Sequence, residues 1–194
     1  LERVFIKYGK MKGKDLIKDV YLKYPYYAVK SKIFTELFNG EFILPSFETN
    51  QSLFSIGYEG RTIDQYLNTL VSQNVSTLID VRKNPLSMKY GFSKSTLFNA
   101  TRNLGIEYIH IPELGIESKE RKNLYNFTDY NNLFDEYEVK ILSKADKAIT
   151  KIVELYDKGQ RIALTCFERD KDYCHRSRVT NKVDKETGCI TRHL

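Results

Sequence analysis

The sequence predicts an α/β protein: a mainly parallel sheet with helices on both faces, preceded by a small helical segment. Three observations carry this. Short β-branched or aromatic runs alternate with helix-patterned stretches from Leu53 to the end of the chain. Four of those runs end in a polar cluster: GYEGRT, DVRKNPLS, PELGIES and CFERDKDYCHR. Hydrophobic content of 41% with 29% charged residues is that of a globular chain with one good core.

Residues 1–50 read differently from the rest. LERVFIKYG is a short helix. KDLIKDVYLKY sets Leu16, Val20 and Lys23 or Tyr24 at helical spacing until Pro25 interrupts. AVKSKIFTELF then places Val29, Ile33, Phe34 and Leu37 on one face, stopping at Asn39-Gly40, and EFILP is a short strand. That order is the outline of a winged helix, which makes Lys30 and Lys32 candidate nucleic-acid contacts. The competing reading is a helical cap with solvated lysines. SFETNQ is polar enough to link this segment to a second unit, residues 51–194.

LFSIG opens the second unit as a strand. Thr62 and Gln65 form a capping box, and Ile63, Leu67, Leu70 and Val71 give the helix its apolar face. STLIDV is the next strand. Ser93 is placed to cap a helix carrying Leu97, Phe98 and Leu104, with Gly105 suited to the left-handed position behind it. IEYIHI is the third strand. A long helical stretch from Asp129 to Lys158 follows, with a break near Ser143, and Gly159 ends it. RIALTC is the fourth strand, Cys174 to Glu186 a helix stopped by Gly188, and CITRH a terminal strand.

Such alternation implies right-handed crossovers and parallel strands, and ligands then bind beyond the carboxyl ends of the strands. All four polar clusters fall there. In GYEGRT, Gly57 and Gly60 permit a tight turn, Tyr58 is a candidate substrate contact, Glu59 is with Glu168 a candidate for proton transfer, and the following helix offers amides for an anion; an ordinary strand-to-helix turn is the alternative. Asp80 and Arg82 point to one face, either as a structural pair or with a substrate between them. Asn84, Ser87 and Lys94 decorate the loop behind. Glu113 is a candidate base, Ser118 and Arg121 are candidate anion ligands, and the 112–128 loop is long enough for a lid. His110, inside a strand, is expected to be packed or hydrogen-bonded.

The last cluster admits three readings. Cys166 can be a nucleophile activated by Arg169, Arg176 and a helix N-terminus. Cys166, Cys174 and His175 can ligate zinc, although C-x7-C-H is no standard finger or ribbon spacing. Or the thiols are bystanders while His175 and Arg176 hold an anion and Glu168 moves protons. The third reading leads, so no metal is assigned and no cofactor is named. Cys189 is expected in the core.

Composition limits the partners. Net charge is +6 and the pI about 9.0. Residues 1–50 carry nine basic and six acidic side chains, half of that excess. Anionic partners such as nucleic acid or nucleotides fit, as does a mildly basic solvated surface. No run of about eighteen apolar residues exists, so no membrane span is expected. No secretion signal opens the chain, and three cysteines make a poor disulfide framework, so a reducing cytoplasm is expected. The chain starts at leucine, which points to a lost initiator or a longer product.

Taken together, SIGYEG, LIDVRKNPLS with YGFSK, GIEYIHIPELGIES and CFERDKDYCHRSRV resemble the prokaryotic family catalogued as domain of unknown function 488, over residues 52–194. The resemblance implies an α/β fold and a polar cluster around the Cys-His-Arg motif, and it supplies no activity. Some members are similar upstream too, with a winged-helix-like segment. Many read Leu-Gly-Gly where this chain has Leu114-Gly115-Ile116. A weaker likeness links LIDVR and the later cysteine loop to rhodanese, but ten positions separate Cys166 from Arg176 and the residues between are bulky. The expectation is an enzyme acting on a phosphate-bearing substrate, with a DNA-binding or ligand-sensing module and a cysteine-dependent sulfur or acyl transferase as alternatives.

Overall fold

The computed structural model describes residues 2–25, 28, 31–38 and 49–194. Three helices come first: α1 (Glu2–Tyr8), α2 (Gly13–Lys23) and the five-residue α3 (Phe34–Phe38). The third is shorter than its apolar pattern predicts. EFILP and Lys30 lie outside the described residues, and Lys32 is exposed. Tyr21 stacks on Phe38, joining α2 to α3, and Asn68 Nδ2 donates to the Lys23 carbonyl at 3.4 Å.

The remainder alternates as its patterning dictates. β1 (Ser52–Gly57) leads through α4 (Ile63–Ser72) to β2 (Thr77–Asp80). α5 (Lys94–Asn103) leads on to β3 (Glu107–His110). Next come α6 (Phe127–Lys140), a 3-10 turn at Leu142–Lys144, α7 (Asp146–Asp157), β4 (Arg161–Cys166), α8 (Arg176–Thr187) and β5 (Arg192–His193). The Thr62–Gln65 capping box is formed at both bonds. Gly105, Gly159 and Gly188 all take positive φ behind their helices, where a side chain would be strained. Ser93 departs from expectation. Its hydroxyl donates to the Ser87 carbonyl at 2.9 Å instead of capping α5, so it closes the preceding loop.

The sheet runs β3-β2-β4-β1-β5 and every pair is parallel. β1, β2 and β4 are buried on both faces, which is why they read as near-continuous apolar runs. Phe54, Ile56, Leu78 and Ala163 pack under α4 and α5; Leu53, Ile79, Ile162 and Leu164 pack under α6, α7 and α8. The register sets Gly57 beside Cys166, Asp80 beside Thr165 and Asp80 beside His110. Four strand ends are therefore level. From β2 the chain leaves over one face to β3, and from its neighbour β4 it leaves over the other face to β5. Connections diverge between these two strands, which opens a crevice at their carboxyl ends. Among the described residues no helix is long and apolar enough to cross a membrane.

Candidate active site

The crevice is a cleft of about 660 Å³. Its floor comes from the ends of β2 and β4, with Arg82, Cys166 and Glu168, and from the start of α8, with His175. Tyr58, Phe167, Tyr130 and Tyr173 form aromatic walls, and Lys83, Asn84, Ser87, Ser118 and Arg121 stand at the mouth. Glu59 and Asp170 also line it. Three cationic and three carboxylate side chains thus face one another, so the cleft is charge-balanced.

Asp80 and Arg82 make a buried fork. Asp80 accepts from Arg82 Nε at 2.8 Å, from Nη2 at 2.5 Å, from the Arg82 amide at 3.1 Å and from Tyr108 Oη at 2.6 Å. Arg82 Nη1 donates to Tyr58 Oη and to the Phe92 carbonyl, both at 2.9 Å. Burial works against the guanidinium charge, but the hydrogen bonds and charge of Asp80 outweigh it and hold its pKa above the ordinary value. The pair is therefore architectural first. It fixes Tyr58, whose ring stacks on Phe92 at 4.4 Å and meets the edge of Phe167 at 5.3 Å.

Glu168 pairs with Arg121 across the cleft, and Cys166 Sγ lies 3.5 Å from Glu168 Oε2. His175 faces the same sulfur, Nδ1 to Sγ 3.9 Å. Its Nε2 sits 3.2 Å from the Val81 carbonyl, which can only accept, so the neutral ring carries its proton on Nε2. The bare Nδ1 then points at the thiols. Cys174 lies behind them, fully buried, and the ligand atoms of Cys166, Cys174 and His175 all fall within 4.8 Å of one another. The hydrogen bond from Cys174 pulls the Cys166 thiol down to about 7 against the opposing effect of burial, with help from Arg121. Burial, followed by the bond to Cys166, pushes Cys174 up to about 12.

Some expected ligands are engaged by other partners, inside the cleft or away from it. The amides after Gly57 are consumed, Tyr58 donating to the Cys166 carbonyl at 3.3 Å and Glu59 to that of Phe167 at 2.9 Å, because the β1–β4 ladder simply continues. The capping box takes the amides of Thr62 and Gln65 at the start of α4, two of the donors that an anion there would use. Gly57 is required for another reason: a Cβ there would fall 1.8 Å from the Glu168 carbonyl. Gly60, at φ +72°, turns the chain. Arg176 sits beneath the cleft, 1% exposed, donating to the carbonyls of Glu168 and Arg169 and to Ser55 Oγ. It holds the cysteine loop rather than facing solvent. Lys94 lies 3.1 Å from His110 Nδ1, and His110 Nε2 donates to the Arg82 carbonyl at 2.9 Å. Glu113 lines a different hollow, with His110, Lys144 and Lys147. Glu59 accepts from the Arg169 amide at 3.0 Å, and Asn84 turns its own loop through the Leu86 amide at 3.2 Å. Cys189 is half-buried and donates to Asp184 Oδ1 at 3.0 Å.

Of the aromatic walls, sequence reasoning singled out Tyr58 and passed over Phe167, Tyr130 and Tyr173. Tyr173 lies inside the Cys166–Arg176 loop, where its spacing from the thiols was available. Tyr130 sits on α6, far away in the chain, and lines the cleft beside Tyr173, with which it makes an edge-to-face contact at 5.0 Å. Lys83 was hidden beside a more conspicuous arginine.

No curated protein and no solved structure matches the chain. The family model described as domain of unknown function DUF488 matches residues 62–183, a stretch that runs from the α4 cap through both thiols and His175 into α8. With most of its length and the whole floor of its cleft inside that match, the chain belongs to the DUF488 family.

Proposed function

We propose that this protein is an enzyme acting on a nucleotide or nucleic-acid substrate in the cleft between β2 and β4. The observation that carries this reading is the meeting of Glu168 and His175 on one buried sulfur, at 3.5 and 3.9 Å, on the floor of an aromatic-walled crevice. Catalytic groups gather at such switch points, and a planar base stacks on Tyr and Phe faces at about 1–3 kcal/mol each. Lys83, Ser118 and Arg121 stand where the phosphate of a stacked nucleotide would emerge. Phosphate on Arg121 competes with Glu168 for the guanidinium and releases the carboxylate to accept a proton. Binding and activation are thereby coupled.

The test is a panel of nucleoside mono- and triphosphates with single-stranded DNA and RNA, products being followed by mass spectrometry. Once one is turned over, Glu168→Gln lowers kcat by about 100-fold or more, and Arg121→Ala raises KM. Full turnover by Glu168→Gln removes the proposed base.

A cysteine-dependent sulfur or acyl transfer is a second reading, favoured by the Cys166 thiol lying near neutrality. Against it stands the complete burial of that sulfur. A thiol-reactive probe at neutral pH labels Cys166 well ahead of Cys174 if this reading holds.

A further inference from the structure

The geometry points to a transition-metal site built from Cys166, Cys174 and His175, with a fourth coordination position open to the cleft. This deepens the enzymatic reading and rests on it only for the role given to Glu168. Four observations support it.

The three ligand atoms are already gathered within 4.8 Å, and Cys166 Sγ lies 3.9 Å from His175 Nδ1. A tetrahedral zinc ion, with bonds of about 2.3 Å to sulfur and 2.0 Å to nitrogen, sets its ligands about 3.5–3.8 Å apart. Small side-chain rotations close that gap. The imidazole is also oriented as a ligand: Nε2–H is anchored on the Val81 carbonyl, leaving the Nδ1 lone pair for the metal. The Tyr137 ring, 5.5 Å from the imidazole and itself donating from Oη to the Leu114 carbonyl at 2.8 Å, holds the plane from the other side.

Ligand chemistry selects the ion. Two soft thiolates and an imidazole favour zinc and its neighbours over magnesium or calcium, which need oxygen ligands. Two thiolates also neutralise a divalent charge, so the buried assembly is uncharged.

Ligand number selects the type of site. A structural zinc centre needs four protein ligands. Among the described residues only these three gather, and Cys189 is engaged with Asp184. Cys166 and His175 line the cleft while Cys174 does not, so the remaining position faces the substrate. Water there lies beside Glu168. It passes a proton to the carboxylate, its oxygen bonds to the electrophilic carbon or phosphorus of the substrate, and the leaving group departs with that proton. Hydrolysis is the reaction class.

The experiment is to load fully reduced protein with Zn²⁺ or Co²⁺ after chelator treatment and measure retained metal per chain. One equivalent is expected. The cobalt form should show intense tetrahedral ligand-field bands and a thiolate-to-cobalt charge-transfer band. Cys174→Ser and His175→Asn should weaken binding by about 100-fold or more, and Cys189→Ser should leave it unchanged. Should those variants fail to fold, the wild type decides: one retained equivalent of metal with a thiolate-to-cobalt charge-transfer band is expected. No retained metal, an octahedral cobalt spectrum, or undiminished affinity in a folded Cys174→Ser protein overturns the site. An inactive Glu168→Gln enzyme alongside a wild type that binds no metal removes the metal and leaves the enzyme reading standing. A metal-loaded wild type with a fully active Glu168→Gln variant upholds the metal and removes only the base.

Discussion

Asp80 has no exposure and, among the described residues, receives its hydrogen bonds from Arg82 and Tyr108, so its charge is matched at close range. Asp80→Ala therefore leaves a buried guanidinium without its partner, and a loss of about 3–5 kcal/mol is expected in urea unfolding. The same change should free Tyr58 and loosen one wall of the cleft. Residue types at strand ends were legible in the sequence because charged groups that alternate around Val81 must share a face. Which of the two readings of that pair applied was not legible, since it depends on Tyr108, 28 positions away. The two thiols illustrate the same limit. Their spacing fits no standard metal motif, yet the 3-10 turn at Lys171–Tyr173 folds the intervening loop so that both sulfurs reach the imidazole.

Elements were legible wherever local chemistry decides them. The Thr62 capping box and the glycines behind α5, α7 and α8 act through neighbours in the chain, and the apolar strand runs are themselves contiguous in sequence. Thr62→Ala should cost about 1 kcal/mol by removing one side of that box, with the cleft unaffected. What the sequence could not reveal is where backbone donors are spent. The amides after Gly57 had the look of an anion cradle, but β4 lies alongside and takes them into the sheet. Gly57→Ala separates the two ideas. It forces a Cβ against the Glu168 carbonyl and should lower stability by about 3 kcal/mol and displace the cysteine loop, whatever anion is present.

At the scale of the whole molecule, the apolar layer under α4 and α5 holds tyrosines whose ionisation is disfavoured in place. Burial raises the Tyr66 pKa above 10.0, and burial reinforced by Asp80 raises that of Tyr108. Folded values above unfolded ones mean a contribution fully present below about pH 10 and lost as pH rises beyond it. Alkaline unfolding is expected, with phenolate absorbance from these two rings appearing only as the fold is lost. The order of the strands also bears directly on function. Because β2 and β4 are neighbours whose connections diverge, groups from positions 58, 82, 121, 166, 168 and 175 share one crevice. That convergence is the central claim, and amide chemical-shift mapping during titration with nucleoside phosphates and single-stranded oligonucleotides tests it most directly. Shifts clustered at residues 58–59, 82–88, 116–121 and 166–175 are predicted; shifts confined to residues 2–38, with the cleft silent, would contradict it.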